Sequence, residues 1–183
     1  MNIENLKTAT FANGCFWCTE AVFQRLKGVS GIESGFTGGA IKNPPYREVV
    51  QGRTGHAEAI QLKYDSKFIS YEELLLVFFT THDPTTLNRQ GNDIGTQYRS
   101  AIFYHSEEQK NIAEQVVRQL NETVFKGKIV TEITEASAFY SAEFDHQNFY
   151  NNNPNQPYCQ YIIDPKINKL KTYFSDKMID SKV

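Results

Sequence analysis

The stretch Gly14-Cys15-Phe16-Trp17-Cys18-Thr19-Glu20 contains two of the three cysteines in the chain, with an aromatic pair between them. A glycine followed by a mixture of polar and apolar residues that stops at Gly28 predicts a helix beginning at or near Cys15. A thiol in the first turn of a helix faces unpaired backbone N–H groups and the positive end of the helix dipole, and both favour the thiolate. A single cysteine is usually a small buried hydrophobe. Two cysteines three residues apart at a helix start instead favour redox or catalytic chemistry.

The length and composition of the chain are typical of one soluble globular domain. It has 183 residues, of which 40% are hydrophobic and 22% are charged. We therefore expect one domain over residues 1–183, with a cysteine-bearing C-terminal loop and tail from about residue 151. A net charge of −2 without a basic patch argues against a nucleic-acid partner.

The hydrophobic pattern indicates neither a membrane span nor an export signal. The longest apolar run, Leu74 to Phe79, is far too short to cross a bilayer, and the polar residues 1–5 lack a hydrophobic signal core. Three cysteines also do not make a structural disulfide framework. We expect a cytoplasmic protein without a membrane partner.

Helix and strand patterns are interleaved along the chain. Strands are predicted over residues 9–11, 29–36, 56–65, 101–105 and 129–133, and helices over residues 15–26, 71–81, 107–124 and 143–150. The pattern Ser70-x-x-Glu73 is a capping box that predicts the start of the second helix. This order indicates an α+β or α/β fold with helices packed on one sheet. We expect the α+β form, a two-layer sandwich of the ferredoxin-like type with a mixed sheet.

Three segments carry further expectations. The connection from Pro84 to about Arg99 is long for a compact domain, and connections of that length are often functional. The amphipathic helix after Ser106 is expected to turn Val124 inward with the rest of its apolar face. The Asn- and Pro-rich residues 151–157 predict a mobile loop that delivers Cys159.

Glu58 is a carboxylate on the apolar face of a predicted strand. It shares the period-two face of Ile60, Leu62 and Tyr64, which is the face that a sheet would bury. A buried carboxyl group has a raised pKa and can act as a general acid near neutral pH. The alternative is a frayed strand end that leaves Glu58 in solvent, and phase alone gives the two equal weight.

A reactive thiol beside aromatic side chains and a carboxylic acid suggests reduction of an oxidised sulfur compound whose oxygen needs a proton. The chain closely resembles the peptide methionine sulfoxide reductase A family. The matching strings cover most of the chain in collinear order. They are GCFWCTEAVFQRLKGV from Gly14, PPYREV from Pro44, TGHAEA from Thr54, HDPTTLNRQGNDIGTQYRSAI from His82, EFDHQ around His146 and NPNQPYC ending at Cys159.

The resemblance implies thiol-dependent reduction of the S epimer of methionine sulfoxide, protein-bound and free, as repair after oxidative damage. It implies that Cys15 attacks the sulfoxide sulfur and that Glu58 protonates the sulfoxide oxygen. Cys15 would then carry a sulfenic acid, and a second thiol would condense with it to a disulfide. A thioredoxin, or dithiothreitol in vitro, would reopen that disulfide. No bound cofactor and no metal are expected.

The resemblance also implies the residues that bind the substrate. Tyr46 and Tyr98 would hydrogen-bond the sulfoxide oxygen, and Asp93 would organise the loop beside them. Phe16 and Trp17 would form the apolar wall that holds the methyl group. Taken from spacing alone, Phe16 and Trp17 would more often be core residues of a helix. His146 is interpreted as a structural hydrogen-bonding group near the site and is not included.

The cysteines depart from the family pattern. Many members carry a glycine in place of Cys18 and two cysteines near the C-terminus, where this chain has Cys159 alone. Cys18 lies one helical turn from Cys15, close enough for a local disulfide, and Cys159 could swing to Cys15 on its loop. The match of the PYC segment favours Cys159 as the resolving cysteine, with Cys18 as an alternative resolver or a relay.

Two other functions are consistent with part of the sequence. A thioredoxin-like dithiol oxidoreductase would use Cys15 and Cys18 as its C-x-x-C pair, but Phe-Trp is a bulky insertion for an exposed exchange site. A non-catalytic zinc module would use the three cysteines and one histidine, but a second closely spaced ligand pair is lacking.

Overall fold

The computed structural model describes residues 6–179, so the polar stretch 1–5 lies outside the described residues. The described strands are β1 (Leu6–Asn13), β2 (Val29–Thr37), β3 (Ala57–Asp65), β4 (Arg89–Gln90), β5 (Asp93–Ile94), β6 (Ser100–Tyr104), β7 (Glu132–Glu135) and β8 (Tyr140–Ser141). The described helices are α1 (Phe16–Phe23), α2 (Tyr46–Val50), α3 (Tyr71–Thr81), α4 (Glu107–Leu120), α5 (Phe149–Asn152) and α6 (Asp164–Phe174). Short 3₁₀ turns cover Thr96–Tyr98, Phe144–His146 and Ser175–Lys177, and π-helical turns cover Asn121–Phe125 and Cys159–Ile163.

Six strands form one mixed sheet in the order β7-β6-β1-β3-β2-β8, and β4 pairs with β5 in a separate ribbon. The pairs β6–β1, β1–β3 and β3–β2 are antiparallel, whereas β7 runs parallel to β6. The four central strands and helices α1 and α3 follow one another in the order β-α-β-β-α-β along the chain. The predicted α+β fold with helices on a mixed sheet is confirmed.

The two faces of the sheet bury different side chains. On the helix-covered face, Phe11 of β1 packs its ring 5.3 Å from Phe23 of α1 and 5.4 Å from Phe78 of α3. The opposite face carries mostly small buried residues, and the segment 136–139 lies against it; the buried residues are Ala12, Ala57, Ala59 and Ala101, together with the larger Phe103. Large side chains therefore fill the space between sheet and helices, and small ones allow the covering segment to approach closely.

Helix α3 begins where the sequence predicts. The Ser70 hydroxyl accepts a hydrogen bond from the Glu73 N–H at 3.1 Å, and the Glu73 carboxylate accepts one from the Ser70 N–H at 2.8 Å. Both bonds of the predicted capping box are present, and the bounds of the predicted helix are those observed. The same carboxylate also contacts the Lys177 ammonium at 2.6 Å, which joins the chain's C-terminal turn to α3.

Three sequence-based expectations need correction. The predicted long connection holds the β4–β5 ribbon and a 3₁₀ turn, because two close strands can satisfy its backbone groups. Val124 is 59% exposed, since α4 ends at Leu120 and the π-helical turn that follows changes the helical phase. Cys159 lies in the π-helical turn that leads into α6 and is buried, where a mobile loop was expected.

We predict that Ser70→Ala lowers the free energy of unfolding by about 1 kcal/mol, because the Glu73 N–H loses its capping partner. Ser70→Asp supplies an equivalent oxygen and should retain most of the stability. Urea denaturation of the two variants and the wild type measures the difference. Equal midpoints for Ser70→Ala and wild type would contradict a stabilising role for the cap.

Candidate active site

Cys15 lies at the turn between the central strand β1 and helix α1. Strand β1 ends at Asn13, and Gly14 follows with φ +102°, a conformation that glycine adopts without strain. A Cβ atom at Gly14 would come within 2.7 Å of the Gln90 Cβ atom, so the close approach of the β4–β5 ribbon also requires glycine. Cys15 is then the N-cap residue of α1 and is half-buried.

Glu58 lies in the middle of the sheet, directly below the start of α1. Its residue pairs with Phe36 of β2, and its side chain is 1% exposed. The Glu58 Oε2 atom accepts a hydrogen bond from the Phe16 N–H at 3.1 Å, so the carboxyl group faces the N-terminus of α1. The interpretation of Glu58 as a buried carboxyl group agrees with this position, and the frayed-end alternative does not.

Burial raises the pKa of Glu58 to about 8, although the Phe16 N–H favours the carboxylate and opposes the shift. The charges of Asp93 and Cys18 raise this pKa further. A carboxyl group with a pKa near 8 keeps its proton at neutral pH and can donate it to a bound oxygen atom.

The thiol of Cys15 differs from the sequence-based expectation of a thiolate. Burial raises the pKa of Cys15 well above its usual value, and a hydrogen bond to the Cys18 side chain and the nearby Glu58 charge raise it further. The Trp17 N–H at the helix start lowers this pKa but does not outweigh burial. The helix terminus therefore acts in the expected direction, and desolvation is the larger effect.

Cys18 is the more acidic thiol of the pair. The hydrogen bond from Cys15 lowers the pKa of Cys18, and the Lys166 ammonium and the Tyr158 hydroxyl lower it further, against the effect of burial. Cys18 is only 4% exposed. An exposed C-x-x-C exchange site of the thioredoxin type does not match this burial.

The aromatic residues that follow Cys15 face different surroundings. Phe16 is fully buried, and its ring centroid lies 6.3 Å from that of Tyr46. Trp17 is half-buried and stacks on Phe149 of α5 with 3.6 Å between centroids and 5° between planes. Its indole N–H donates to the His146 Nδ1 atom at 3.2 Å, which requires that Nδ1 be unprotonated.

His146 completes an aromatic wall with these residues. Its ring centroid lies 4.1 Å from that of Tyr46 and 5.5 Å from that of Phe16. Burial lowers the pKa of His146, which keeps the ring neutral and able to accept the Trp17 N–H. The interpretation of His146 as a hydrogen-bonding group beside the site agrees with these contacts.

The hydroxyl groups of Tyr46 and Tyr98 are influenced by the charges of Cys15 and Glu58. Burial raises the pKa of both phenols, and the charges of Glu58 and Cys15 add to the shift in each case. Tyr46 is fixed at the start of α2, where its backbone N–H donates to the Glu143 carboxylate at 3.0 Å. Both phenols therefore stay protonated and can donate hydrogen bonds.

Asp93 contacts the C-terminal part of the chain. Its Oδ2 atom accepts a hydrogen bond from the Tyr158 hydroxyl at 2.8 Å, and that hydroxyl oxygen lies 3.6 Å from the Cys18 sulfur. Asp93 thus holds the segment next to Cys159 against the start of α1. Cys159 itself is buried with Cys18, Ala21 and Ile163 in a small apolar cluster.

Sequence analysis missed Phe149, Tyr158 and Lys166. Tyr158 belongs to the NPNQPYC string, so a motif-based reading could have included it, but Phe149 and Lys166 lie outside every matching string. The stacking of Phe149 on Trp17 and the electrostatic effect of Lys166 on Cys18 join positions more than 130 residues apart, and periodicity contains no information about such pairs.

Within residues 6–179, His, Cys, Asp and Glu side chains form no group of three or more that could hold a metal ion. Over the same residues, no helix is both long enough and apolar enough to span a membrane.

Comparison with known proteins agrees with this geometry. The family model of peptide methionine sulfoxide reductase matches residues 7–178. The peptide methionine sulfoxide reductase MsrA of Deinococcus radiodurans is 56% identical over 171 residues, which are 93% of this chain and 83% of the relative. The reduced form of Mxr1 from Saccharomyces cerevisiae superimposes with a TM-score of 0.79 at 34% identity, over 86% of this chain and 91% of Mxr1. Mxr1 in complex with Trx2 superimposes with a TM-score of 0.56 at 25% identity, over 81% of this chain and 87% of that Mxr1 chain. The chain belongs to the peptide methionine sulfoxide reductase A family.

Proposed function

We propose that the chain reduces the S epimer of methionine sulfoxide through a sulfenic acid on Cys15, with Glu58 as the proton donor. The observation that supports this most directly is the buried Glu58 carboxyl group at the start of α1, beside Cys15, with a pKa raised to about 8. A protonated acid next to a thiol supplies both groups that sulfoxide reduction needs.

The first step transfers the sulfoxide oxygen to Cys15. The Cys15 sulfur attacks the sulfoxide sulfur and forms an S–S bond with it, while Glu58 donates its proton to the sulfoxide oxygen. The hydroxyl group then moves from the substrate sulfur to the Cys15 sulfur as the S–S bond and the substrate S–O bond break. Methionine leaves, Cys15 carries a sulfenic acid, and the proton lost by the Cys15 thiol restores Glu58. Protons, oxygen and electrons balance, because the cysteine sulfur is oxidised by the two electrons that reduce the substrate sulfur.

The surrounding side chains suit a methyl sulfoxide. The phenols of Tyr46 and Tyr98 are protonated donors near Glu58, and they would hydrogen-bond the sulfoxide oxygen as it gains negative charge. Phe16 and Trp17 would contact the methyl group. Asp93 is assigned here to the loop beside the substrate, where it holds Tyr158. Because these contacts reach only the methyl sulfoxide end of the side chain, we propose that both protein-bound and free methionine sulfoxide are substrates.

Regeneration uses the other two thiols. Cys18 shares a hydrogen bond with Cys15 and is buried in the same cluster as Cys159. We propose that Cys18 attacks the sulfenic acid first and that Cys159 then receives the disulfide. The direct attack of Cys159 on Cys15, which the family resemblance favours, is the competing order.

The external reductant that we propose is a thioredoxin, acting in the cytoplasm where protein thiols are kept reduced. The complex of Mxr1 with Trx2 supports a partner of this type. We further assign the described sheet and helices to a two-layer sandwich of the ferredoxin-like type, on the strand order β6-β1-β3-β2 and the chain order β-α-β-β-α-β.

The first prediction concerns the reaction and its nucleophile. Reduced wild-type protein with dithiothreitol should reduce only the S epimer of a methionine sulfoxide peptide, and Cys15→Ser should have no activity. Separation of methionine and sulfoxide peptides by chromatography measures both. Folded, reduced protein that acts on neither epimer would exclude the proposed function. Parallel assays with the free amino acid test the inclusion of free substrate.

The second prediction concerns Glu58. Because the acid must be protonated, the rate of sulfoxide reduction should fall as pH rises through about 8. Glu58→Gln should slow methionine formation by about 10²-fold or more and should lack this alkaline fall, because an amide cannot donate a proton to the oxygen. Single-turnover methionine formation between pH 6 and 9.5 measures both effects.

Glu20→Gln is the matched control for Glu58→Gln. Glu20 is also buried, and its Oε1 atom accepts the Asn148 N–H at 2.9 Å, which a glutamine can replace. This variant should keep the wild-type rate and pH profile. If Glu58→Gln keeps the alkaline fall, then that fall belongs to another group and the assigned role of Glu58 is wrong.

The third prediction concerns the order of the disulfides. One equivalent of substrate without external reductant should form a Cys15–Cys18 disulfide in Cys159→Ser and a Cys18–Cys159 disulfide in the wild type. Peptide mapping by mass spectrometry identifies them. Cys18→Ser should still form one methionine per chain but should be slow in turnover with thioredoxin. A Cys15–Cys159 disulfide formed at the wild-type rate in Cys18→Ser would support the competing order.

A further inference from the structure

A cavity of about 360 Å³ opens beside the two N-terminal thiols, on the side of the β4–β5 ribbon. Cys15, Cys18 and Lys166 of α6 are all among the residues that line it. Lys166 is the single cationic side chain among the described residues that line this cavity. Helix α6 therefore brings a positive charge to the cavity that both thiols line.

A purely structural role would also explain Lys166 in part. Its ammonium donates to the Thr81 carbonyl oxygen at 2.7 Å, and Thr81 is the last residue of α3. A cation at a helix C-terminus is favourable, because it neutralises the unpaired carbonyl groups there. This bond uses one of three ammonium N–H donors. It also fixes the position of the nitrogen, and the half-buried side chain still borders the cavity.

The second observation is the hydrogen-bond chain from Cys18 to Asp93. A phenol has one proton, and the Tyr158 hydroxyl donates it to Asp93 at 2.8 Å. The Tyr158 oxygen can then only accept from the Cys18 S–H, 3.6 Å away. When Cys18 loses its proton, the phenol can turn its own proton toward the thiolate instead. Tyr158 thus offers a partner to both forms of Cys18.

We propose that Lys166 is a positioning residue for regeneration, which stabilises the Cys18 thiolate that attacks oxidised Cys15. This inference rests on the proposed sulfenic acid on Cys15. It gives α6 a part in catalysis through Cys18, in addition to its packing.

The Cys18 thiolate attacks the sulfur of the Cys15 sulfenic acid, a Cys15–Cys18 bond forms, and the S–O bond of Cys15 breaks. Hydroxide leaves as water with a proton from Glu58, and the proton that Cys18 has released balances the one that Glu58 gives up. The Cys15 sulfur is reduced by one oxidation state and the Cys18 sulfur is oxidised by one.

The groups around Cys18 oppose one another electrostatically. The Cys18 thiolate is favoured by the hydrogen bond from Cys15, by the charge of Lys166 and by the Tyr158 hydroxyl. Burial and the charge of Asp93 favour the thiol instead. Cys159 and Glu58 are further titratable neighbours, and each has a pKa raised by burial and by the charge of Cys18. Burial also lowers the pKa of Lys166, and the Cys18 charge opposes that shift. Lys166 is therefore the one charge of positive sign in this group.

The first experiment measures ionisation of Cys18 without any substrate. In a Cys15→Ser, Cys159→Ser chain, thiolate absorbance near 240 nm against pH gives the midpoint for Cys18 alone. Adding Lys166→Met should raise that midpoint by about one pH unit, because loss of a nearby opposite charge typically shifts a pKa by one unit or more. Lys166→Arg keeps the charge and should restore most of the wild-type midpoint.

Lys169→Met is the matched control, because it removes the same charge from the same helix. Lys169 is exposed and lines a different depression, beside Phe79 and Leu120. It should leave the Cys18 midpoint unchanged. Thermal unfolding of each variant separates loss of the Thr81 contact from the electrostatic effect, and a lower melting temperature alone does not move the midpoint.

The second experiment measures regeneration in the Cys159→Ser background, where Cys15–Cys18 is the disulfide expected. After one equivalent of a methionine S-sulfoxide peptide at pH 7, Lys166→Met should slow the loss of free thiols by about threefold to tenfold. Methionine formation should slow less. The Lys169→Met control should match the parent for both rates.

The two experiments fail in different ways. An unchanged Cys18 midpoint in folded Lys166→Met, or an unchanged rate of thiol loss, would overturn the role of Lys166. Absence of methionine formation in the parent would instead exclude the proposed reduction. The titration would then still decide whether Lys166 acts on Cys18, because it needs no sulfoxide.

Discussion

The hydrogen bond from the Phe16 N–H to the Glu58 carboxyl group is the constraint on which the rest of the site depends. It joins the first residue of α1 to the centre of the sheet, so a buried polar group and an unpaired helix N–H satisfy each other. Cys15 immediately precedes Phe16 and is carried to the same place. Without this bond, both the carboxyl group and the helix start would be buried without a partner, which typically costs a few kcal/mol.

The C-terminal third of the chain converts this arrangement into an enclosed site. Trp17 is held by Phe149 and His146, and Cys18 lies against Tyr158, which in turn is bonded to Asp93 of the β4–β5 ribbon. None of these contacts is local in sequence. The sheet and α1 bring Cys15 and Glu58 together. The later segments supply the aromatic wall and the surroundings of Cys18.

The sequence was sufficient for the elements whose signals are local. The capping box at Ser70 predicted both bonds at the start of α3, and the period-two phase of β3 placed Glu58 on the buried face. It was insufficient where tertiary burial opposed a local effect. The helix terminus predicts a Cys15 thiolate, yet burial raises the pKa of that thiol. Asn- and Pro-rich composition predicts a loop at Cys159, yet apolar neighbours from α1 hold the residue in a buried helical turn.

The raised pKa of Cys15 has a consequence for selectivity. At neutral pH both Cys15 and Glu58 hold protons in the free protein, and a thiol reacts far more slowly with oxidants than a thiolate does. Cys15 is thereby protected from direct attack by oxidants, whose later products thiols cannot reverse. In the proposed reaction the sulfoxide oxygen takes the Glu58 proton, which leaves a carboxylate that can accept the thiol proton. The nucleophile is then generated at the substrate that supplies the oxygen, so burial slows unwanted oxidation more than it slows the reaction itself.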